Sequence, residues 1–231
     1  MNFEKCPARM SFAEKLERLQ ISEDAFDFYW STFIKNPSRY NRKEWDGDWF
    51  LVKNKRGRPV HLPKDVVANH LLGKFSIATF PDKLPRYLCL DIDRSSEQMA
   101  VYRIVKEWLK VPLVFQSSSS AGLHIFAHLI PTFVICIQKL LSITEATCKV
   151  MRINLSPGVC EVFPRPGKGL RLPLGQGSFV LDPESLKPIC TDVGTAIRFI
   201  AENIRYYSFQ DLFPQLARRI DERKRLQEKG L

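Results

Sequence analysis

The run Tyr87-Leu88-Cys89-Leu90-Asp91-Ile92-Asp93 does most to limit what this chain can become. Its apolar residues predict a buried strand, and it ends in two carboxylates one residue apart. Side chains alternate across a strand, so Asp91 and Asp93 are expected on the same face. Carboxylates held on one face repel each other unless a cation lies between them. Oxygen-only donors of this kind suit a hard divalent ion such as magnesium or manganese. Read alone, the run also fits a strand that ends in a solvated Asp-x-Asp turn, so the stretches that follow carry weight.

The first is Ser117-Ser118-Ser119-Ser120-Ala121-Gly122-Leu123-His124. Small residues and a glycine let backbone amides approach an anion closely, and hydroxyls add donors. His124 opens the next strand and is placed to donate to a phosphate. The alternative is a polar hairpin loop with a histidine satisfied in the core. No Gly-x-Ser-x-Gly elbow is present, which argues against a serine hydrolase.

The second stretch is Cys160-Glu161-Val162-Phe163-Pro164-Arg165-Pro166-Gly167-Lys168-Gly169-Leu170-Arg171-Leu172-Pro173-Leu174-Gly175. A carboxylate inside an apolar strand is costly to bury unless it is paired or ligates a metal. Glu161 is therefore a natural third acidic ligand, or else the ion-pair partner of a nearby arginine. Arg165, Lys168 and Arg171 lie beside glycines and suit the phosphates of a triphosphate or a template strand.

The charge balance points the same way. The 231 residues carry a formal net charge of +10, and such a surplus favours a polyanionic partner. Lys53-Asn54-Lys55-Arg56-Gly57-Arg58 reads as a basic turn between strands, and Arg218 to Lys229 as a basic face on a C-terminal helix. The hydrophobic fraction of 45% is that of an ordinary globular protein. The longest apolar stretch is broken by His124, His128 and Pro131, so no membrane span and no membrane partner is expected. Met1-Asn2-Phe3-Glu4-Lys5 lacks a signal pattern, so a cytoplasmic location is expected. The scattered cysteines form no Cys-x-x-Cys pair and read as small buried hydrophobes.

Local patterns predict a mixture of helices and strands. Ser11 and Ser22 (or Asp24) are placed to cap two helices, the second carrying Phe26, Tyr29, Trp30 and Phe33 as core. Further helices are expected over 64–72 and 137–151, and another with Val101, Ile104, Val105, Trp108 and Leu109 on one side, capped by Ser95 or Ser96. Asp192 or Thr195 is expected to open the last one. Strands are expected over 75–80, 112–116, 123–129, 159–163 and 177–181, with a hairpin formed by 46–52 and 60–62. These units predict an α/β or α+β fold with a mixed sheet. The expected organisation is an accessory element over 1–60, a core over 61–190 and a helical segment over 191–231.

The order of the pieces resembles the archaeo-eukaryotic primase superfamily. Asp-x-Asp comes first, then Ser118-x-x-x-Gly122-x-His124, then an acid on an apolar strand. The surroundings look closest to the primase-polymerase domain of TOTE conflict systems and its relatives in mobile elements. The matching words are His70-Leu71-Leu72-Gly73-Lys74, Ile77-Ala78-Thr79-Phe80-Pro81, Glu161-Val162-Phe163-Pro164 and Leu170-Arg171-Leu172-Pro173-Leu174-Gly175. The resemblance covers roughly 65–182 and implies an RRM-like catalytic half packed on a smaller α/β unit. It implies that Asp91, Asp93 and Glu161 hold two divalent cations (Mg2+ or Mn2+), and that Ser118, Ser120 and His124 contact the incoming nucleotide. Arg165, Lys168 and Arg171 match by neighbourhood. The implied activity is template-directed nucleotidyl transfer from dNTP or NTP on single-stranded DNA or a primer-template, alongside a helicase or other replication protein. The zinc-binding module that many primases carry has no counterpart here. The rival readings are a metal-dependent nuclease and a non-catalytic replication initiator that binds single strands.

Overall fold

Alternation along the central strands builds the molecule. The computed structural model describes residues 10–44, 47–110, 113–117, 121–214 and 216–217. The chain runs α1 (Phe12–Leu19), α2 (Glu23–Phe33), β1 (Tyr40–Lys43), β2 (Phe50–Leu51), α3 (Lys64–Leu71), β3 (Ser76–Thr79), β4 (Tyr87–Ile92) and α4 (Gln98–Leu109). It continues through β5 (Leu113–Gln116), β6 (Leu123–Leu129), α5 (Ile137–Val150), β7 (Cys160–Phe163), β8 (Leu170–Arg171), β9 (Val180–Leu181), α6 (Val193–Asn203), β10 (Tyr206–Tyr207) and α7 (Phe209–Leu212). The expected basic helix beyond residue 217 lies outside the described residues.

The fold is α+β, with two sheets. The larger has the order β7-β4-β6-β5-β9, all antiparallel, and β10 adds the one parallel pair seen among the described residues, beside β6. The smaller is antiparallel in the order β2-β1-β3-β8. Within the larger sheet β4-α4-β5-β6-α5-β7 forms a β-α-β-β-α-β unit, two interleaved split βαβ motifs.

Each strand of this unit sends alternate residues to opposite sides. Leu88, Leu90, Ile92, Ile125, Ala127 and Val162 meet Val101, Val105 and Leu109 of α4 and Leu140 of α5 in one core. Tyr87, Cys89, Phe115, Phe126 and Phe163 point the other way, into a second core with Phe26, Tyr29 and Phe33 of α2, Ile77 of β3 and Ile200 of α6. Residues from 1–60, 61–190 and 191–231 thus share this second core. Phe126 lies at its centre, 5.4 Å from the Phe33 ring, 5.6 Å from Phe115 and stacked on His128 at 5.9 Å. The aromatic face of α2 is core, as its spacing predicts.

Caps and turns follow local chemistry. Ser11 and Glu14 form a reciprocal capping box, and the Ser22 and Asp192 side chains accept from the third helical amide. The start of α4 differs from the expectation. Glu97 occupies the N-cap with no side-chain bond, because the turn before it is closed by the Gln98 amide donating to the Ser95 carbonyl. The basic turn is present and ordered: Lys53 bridges Pro59, and Val60 donates to the Val52 carbonyl. The described cysteines are free thiols, with Cys89, Cys148 and Cys160 buried. No helix among the described residues is long and apolar enough to cross a membrane.

Two buried histidines make stability depend on pH. Burial lowers His70 from 6.5 to about 4, and lowers His128 to about 3 with Lys35 adding to the effect. Both ring nitrogens of His128 lack a hydrogen-bond partner among the described residues. The folded state refuses protons that the unfolded chain accepts, so stability is complete above pH 6.5 and declines as pH falls toward 4 and below. Each unit of displacement is worth about 1.4 kcal/mol, so the loss amounts to several kcal/mol. His128→Phe should raise unfolding free energy more at pH 5 than at pH 7.5 in urea titrations. An unchanged pH profile in that variant would contradict a neutral buried ring.

Candidate active site

Strand register assembles the site from two facing rows. On the larger sheet Asp91 of β4 pairs with His124 of β6 on one side and with Glu161 of β7 on the other. Cross-strand partners hold their Cβ atoms about 4.5–5.5 Å apart, and like charges directly opposite destabilise the pair. On the smaller sheet Ala78 of β3 pairs with Asn41 of β1 and with Arg171 of β8. Both rows line one cleft of about 480 Å³, closed at its sides by Lys43, Trp49, Ser117 and the Gly167-Lys168-Gly169 turn. Ala78 leaves the middle of its row low, and Gly169 lets the turn pass close to it: a Cβ there would lie 3.3 Å from the Ala78 Cβ.

Alternation explains why the acids stand in the cleft. The face that buries Tyr87 and Cys89 carries Asp91 at its open end, where the second core stops. His124 is 4% exposed, and its Nε2 lies 3.3 Å from Asp91 Oδ1. Lys168 Nζ donates to Glu161 Oε1 at 2.7 Å. Asp93 follows the strand and ties it to the loop before β7, its amide donating to the Val159 carbonyl. Burial, then the charges of Asp91 and Glu161, raise the Asp93 carboxyl above 3.8, against the lowering effect of a Gly158 amide and His124. Asp93 therefore feels the charges of both other acids.

Arg171 faces them from the other wall. Its Nη2 donates to the Gln176 carbonyl, while its Nε is buried without a partner among the described residues. Burial lowers its pKa, and the partly desolvated guanidinium lines the cleft. Arg165 is not brought to this site. It pairs with Glu145 of α5 at 3.1 Å and lines a neighbouring groove of about 680 Å³ with Lys149 and Arg152. Lys168 and Glu161 form the ridge between the two hollows, lining both.

Ser118 and Ser120 lie outside the described residues. The ends of their turn are defined: the Ser117 amide donates to the Gly122 carbonyl at 2.7 Å, and a Cβ on residue 122 would fall 2.6 Å from Ser117 Oγ. A side chain at residue 122 would therefore force the Ser117 hydroxyl to turn away. Asn41, Lys43 and Trp49 belong to no motif that spacing reveals. Asn41 and Lys43 share the cleft side of β1 by the period of two, yet that strand is polar on both faces and gives no contrast to read.

Among the described residues no three His, Cys, Asp or Glu side chains converge as a ready ligand cage. Glu161 is turned to Lys168 and Asp91 to His124. The donor set nevertheless fits hard divalent cations: three carboxylates share one end of a cleft, and an ammonium group already sits on one of them. No protein-family model matches the chain, and a search of curated proteins found none similar to it.

Proposed function

We propose that this protein is a primase-polymerase of the archaeo-eukaryotic primase superfamily that joins nucleoside triphosphates on a nucleic-acid template. The observation that carries the reading is the pairing of an Asp91/His124/Glu161 row with an Asn41/Ala78/Arg171 row across one cleft. The β-α-β-β-α-β unit bearing the acids agrees with the RRM-like half that the resemblance implies. The cleft's size falls within the range of small-ligand sites.

Asp91, Asp93 and Glu161 would hold the Mg2+ or Mn2+ ions. When bound, such ions activate a 3′-hydroxyl and neutralise charge gathering on a triphosphate. The chain's own residues bind and orient the nucleotide. His124, fixed by Asp91, offers an imidazole N–H to a phosphate oxygen. Lys168 is half exposed and, once released from Glu161, would reach a phosphate oxygen. Arg171 and Lys43 supply fixed positive charge from the opposite wall.

The test is incubation with labelled nucleotides, a single-stranded template and magnesium or manganese, with and without a primer. Template-dependent products are expected. Degradation of DNA without nucleotides would mark a nuclease, and strand binding without incorporation an initiator; either would overturn the reading. His124→Ala should raise the apparent KM for nucleotide roughly tenfold or more, the worth of one hydrogen bond to a charged group, with a smaller effect on kcat. An unchanged KM would remove His124 from the nucleotide site.

A further inference from the structure

The segment after the cleft rim carries charge and exposed rings that the site does not use. Trp49 is 39% exposed and lines the cleft, and Phe50 beside it is 48% exposed. Immediately beyond them Lys53, Lys55, Arg56 and Arg58 are all exposed, and none forms an ion pair with a carboxylate among the described residues. No Asp or Glu occurs anywhere between Trp49 and Lys64. The turn is held in shape despite this repulsion. Asn54 Oδ1 accepts from the Arg56 and Arg58 amides at 2.9 and 3.1 Å, and the Asn54 amide donates to the Arg58 carbonyl at 2.8 Å. Gly57, with φ +75°, supplies the left-handed residue that closes it.

An ordered loop that crowds like charges just beyond an exposed indole lining a cleft fits a strand of phosphates with unpaired bases. A duplex hides its base faces and would leave the Trp49 ring unused. A second copy of this chain would bring the same positive surface against itself. We propose that Trp49 and the basic turn 53–58 bind single-stranded nucleic acid, with Trp49 stacking the base that enters the cleft and Lys53, Lys55, Arg56 and Arg58 following the phosphates behind it. The direction toward the acids rests on the nucleotidyl-transfer reading, whereas strand binding at this surface does not.

The test measures binding of fluorescent oligothymidylate and oligouridylate of equal length to the full chain, by anisotropy, with neither nucleotide nor divalent ion. These two arms separate DNA from RNA, and a duplex serves as control. Trp49→Ala should weaken single-strand binding about tenfold while leaving weak duplex binding unchanged. Lys55→Ser with Arg56→Ser should weaken it further and reduce the slope of log affinity against log salt by roughly 0.7 for each phosphate no longer neutralised. Both changes are on exposed residues, and unaltered circular dichroism would show that folding is retained. Wild-type affinity and salt slope in these variants would overturn the proposal. Wild-type protein that binds single strands but incorporates nothing would sink the nucleotidyl-transfer reading and leave this one standing.

Discussion

Asp91→Asn is expected to reduce nucleotide incorporation by at least about a thousandfold, on the order of 4 kcal/mol of transition-state stabilisation. Asp91 is the middle member of its row, so its loss removes the carboxylate that both neighbours face. The fold should survive, because asparagine keeps the shape of Asp91 and removes a charge that acts on Asp93. The Asp93 carboxyl is raised by burial and by the charges of Asp91 and Glu161. A raised acid lowers stability once pH climbs from its unfolded value of 3.8 into the raised range, and the loss persists at neutral pH. Asp93→Asn removes that loss. Its melting temperature should therefore equal or exceed wild type near pH 7.5, and the difference should vanish as pH approaches 4. Thermal unfolding beside a gel assay checks both variants. Full synthesis by Asp91→Asn would sink the catalytic assignment, and a lowered melting temperature in Asp93→Asn would make its carboxylate a structural support.

Gly175→Ala is expected to remove about 3 kcal/mol or more of folding free energy, at the upper end for overpacking a core. A Cβ at this position would lie 1.9 Å from His70 Cε1. The ring cannot swing aside. It is fully buried, with Nδ1 3.2 Å from the Phe75 carbonyl and Nε2 3.3 Å from the Pro173 carbonyl, which also accepts from the Tyr29 hydroxyl at 2.7 Å. A neutral imidazole donates to only one of these carbonyls, and the tautomer with the proton on Nδ1 leaves Pro173 to Tyr29. Urea unfolding of Gly175→Ala, His70→Ala and the double variant forms a cycle, and strong non-additivity is expected. Simple additivity would mean that the two residues do not meet. The damage also reaches the cleft, because the neighbouring Gln176 carbonyl anchors Arg171.

This contact gives physical content to two of the words on which the resemblance rests. His70 and Gly175 stand far apart in sequence, one at the end of α3 and the other after β8, yet each is shaped by the other. What is legible in the sequence is local. The apolar runs of β4 and β6, the oxygens of Ser11, Ser22 and Asp192 before their helices, and the aromatic side of α2 all act within a few residues of themselves. So does the alternation that sets Asp91 on the cleft side.

What is not legible depends on partners. β1 is Tyr40-Asn41-Arg42-Lys43, with only Tyr40 buried, and it becomes a strand because β2 and β3 flank it and the Arg42 guanidinium lies over the Phe75 ring at 4.0 Å. The row of Asn41, Ala78 and Arg171 exists only after that pairing. Arg165 and Lys168 look alike in sequence, but the turn between them sends one toward Glu145 on α5 and the other toward Glu161. Composition and spacing carry no record of that divergence.

Residues 164–169 leave β7 on the larger sheet and enter β8 on the smaller one. Glu161 and Arg171 therefore stand on opposite walls yet belong to one short length of chain, with Lys168 between them reaching back to Glu161. The greatest distance across the opening is therefore limited by backbone, as a tether limits how far two jaws can part. The loop's length caps how far the two walls can part, so a longer or shorter turn here would change the limit on the opening while leaving its lining side chains in place.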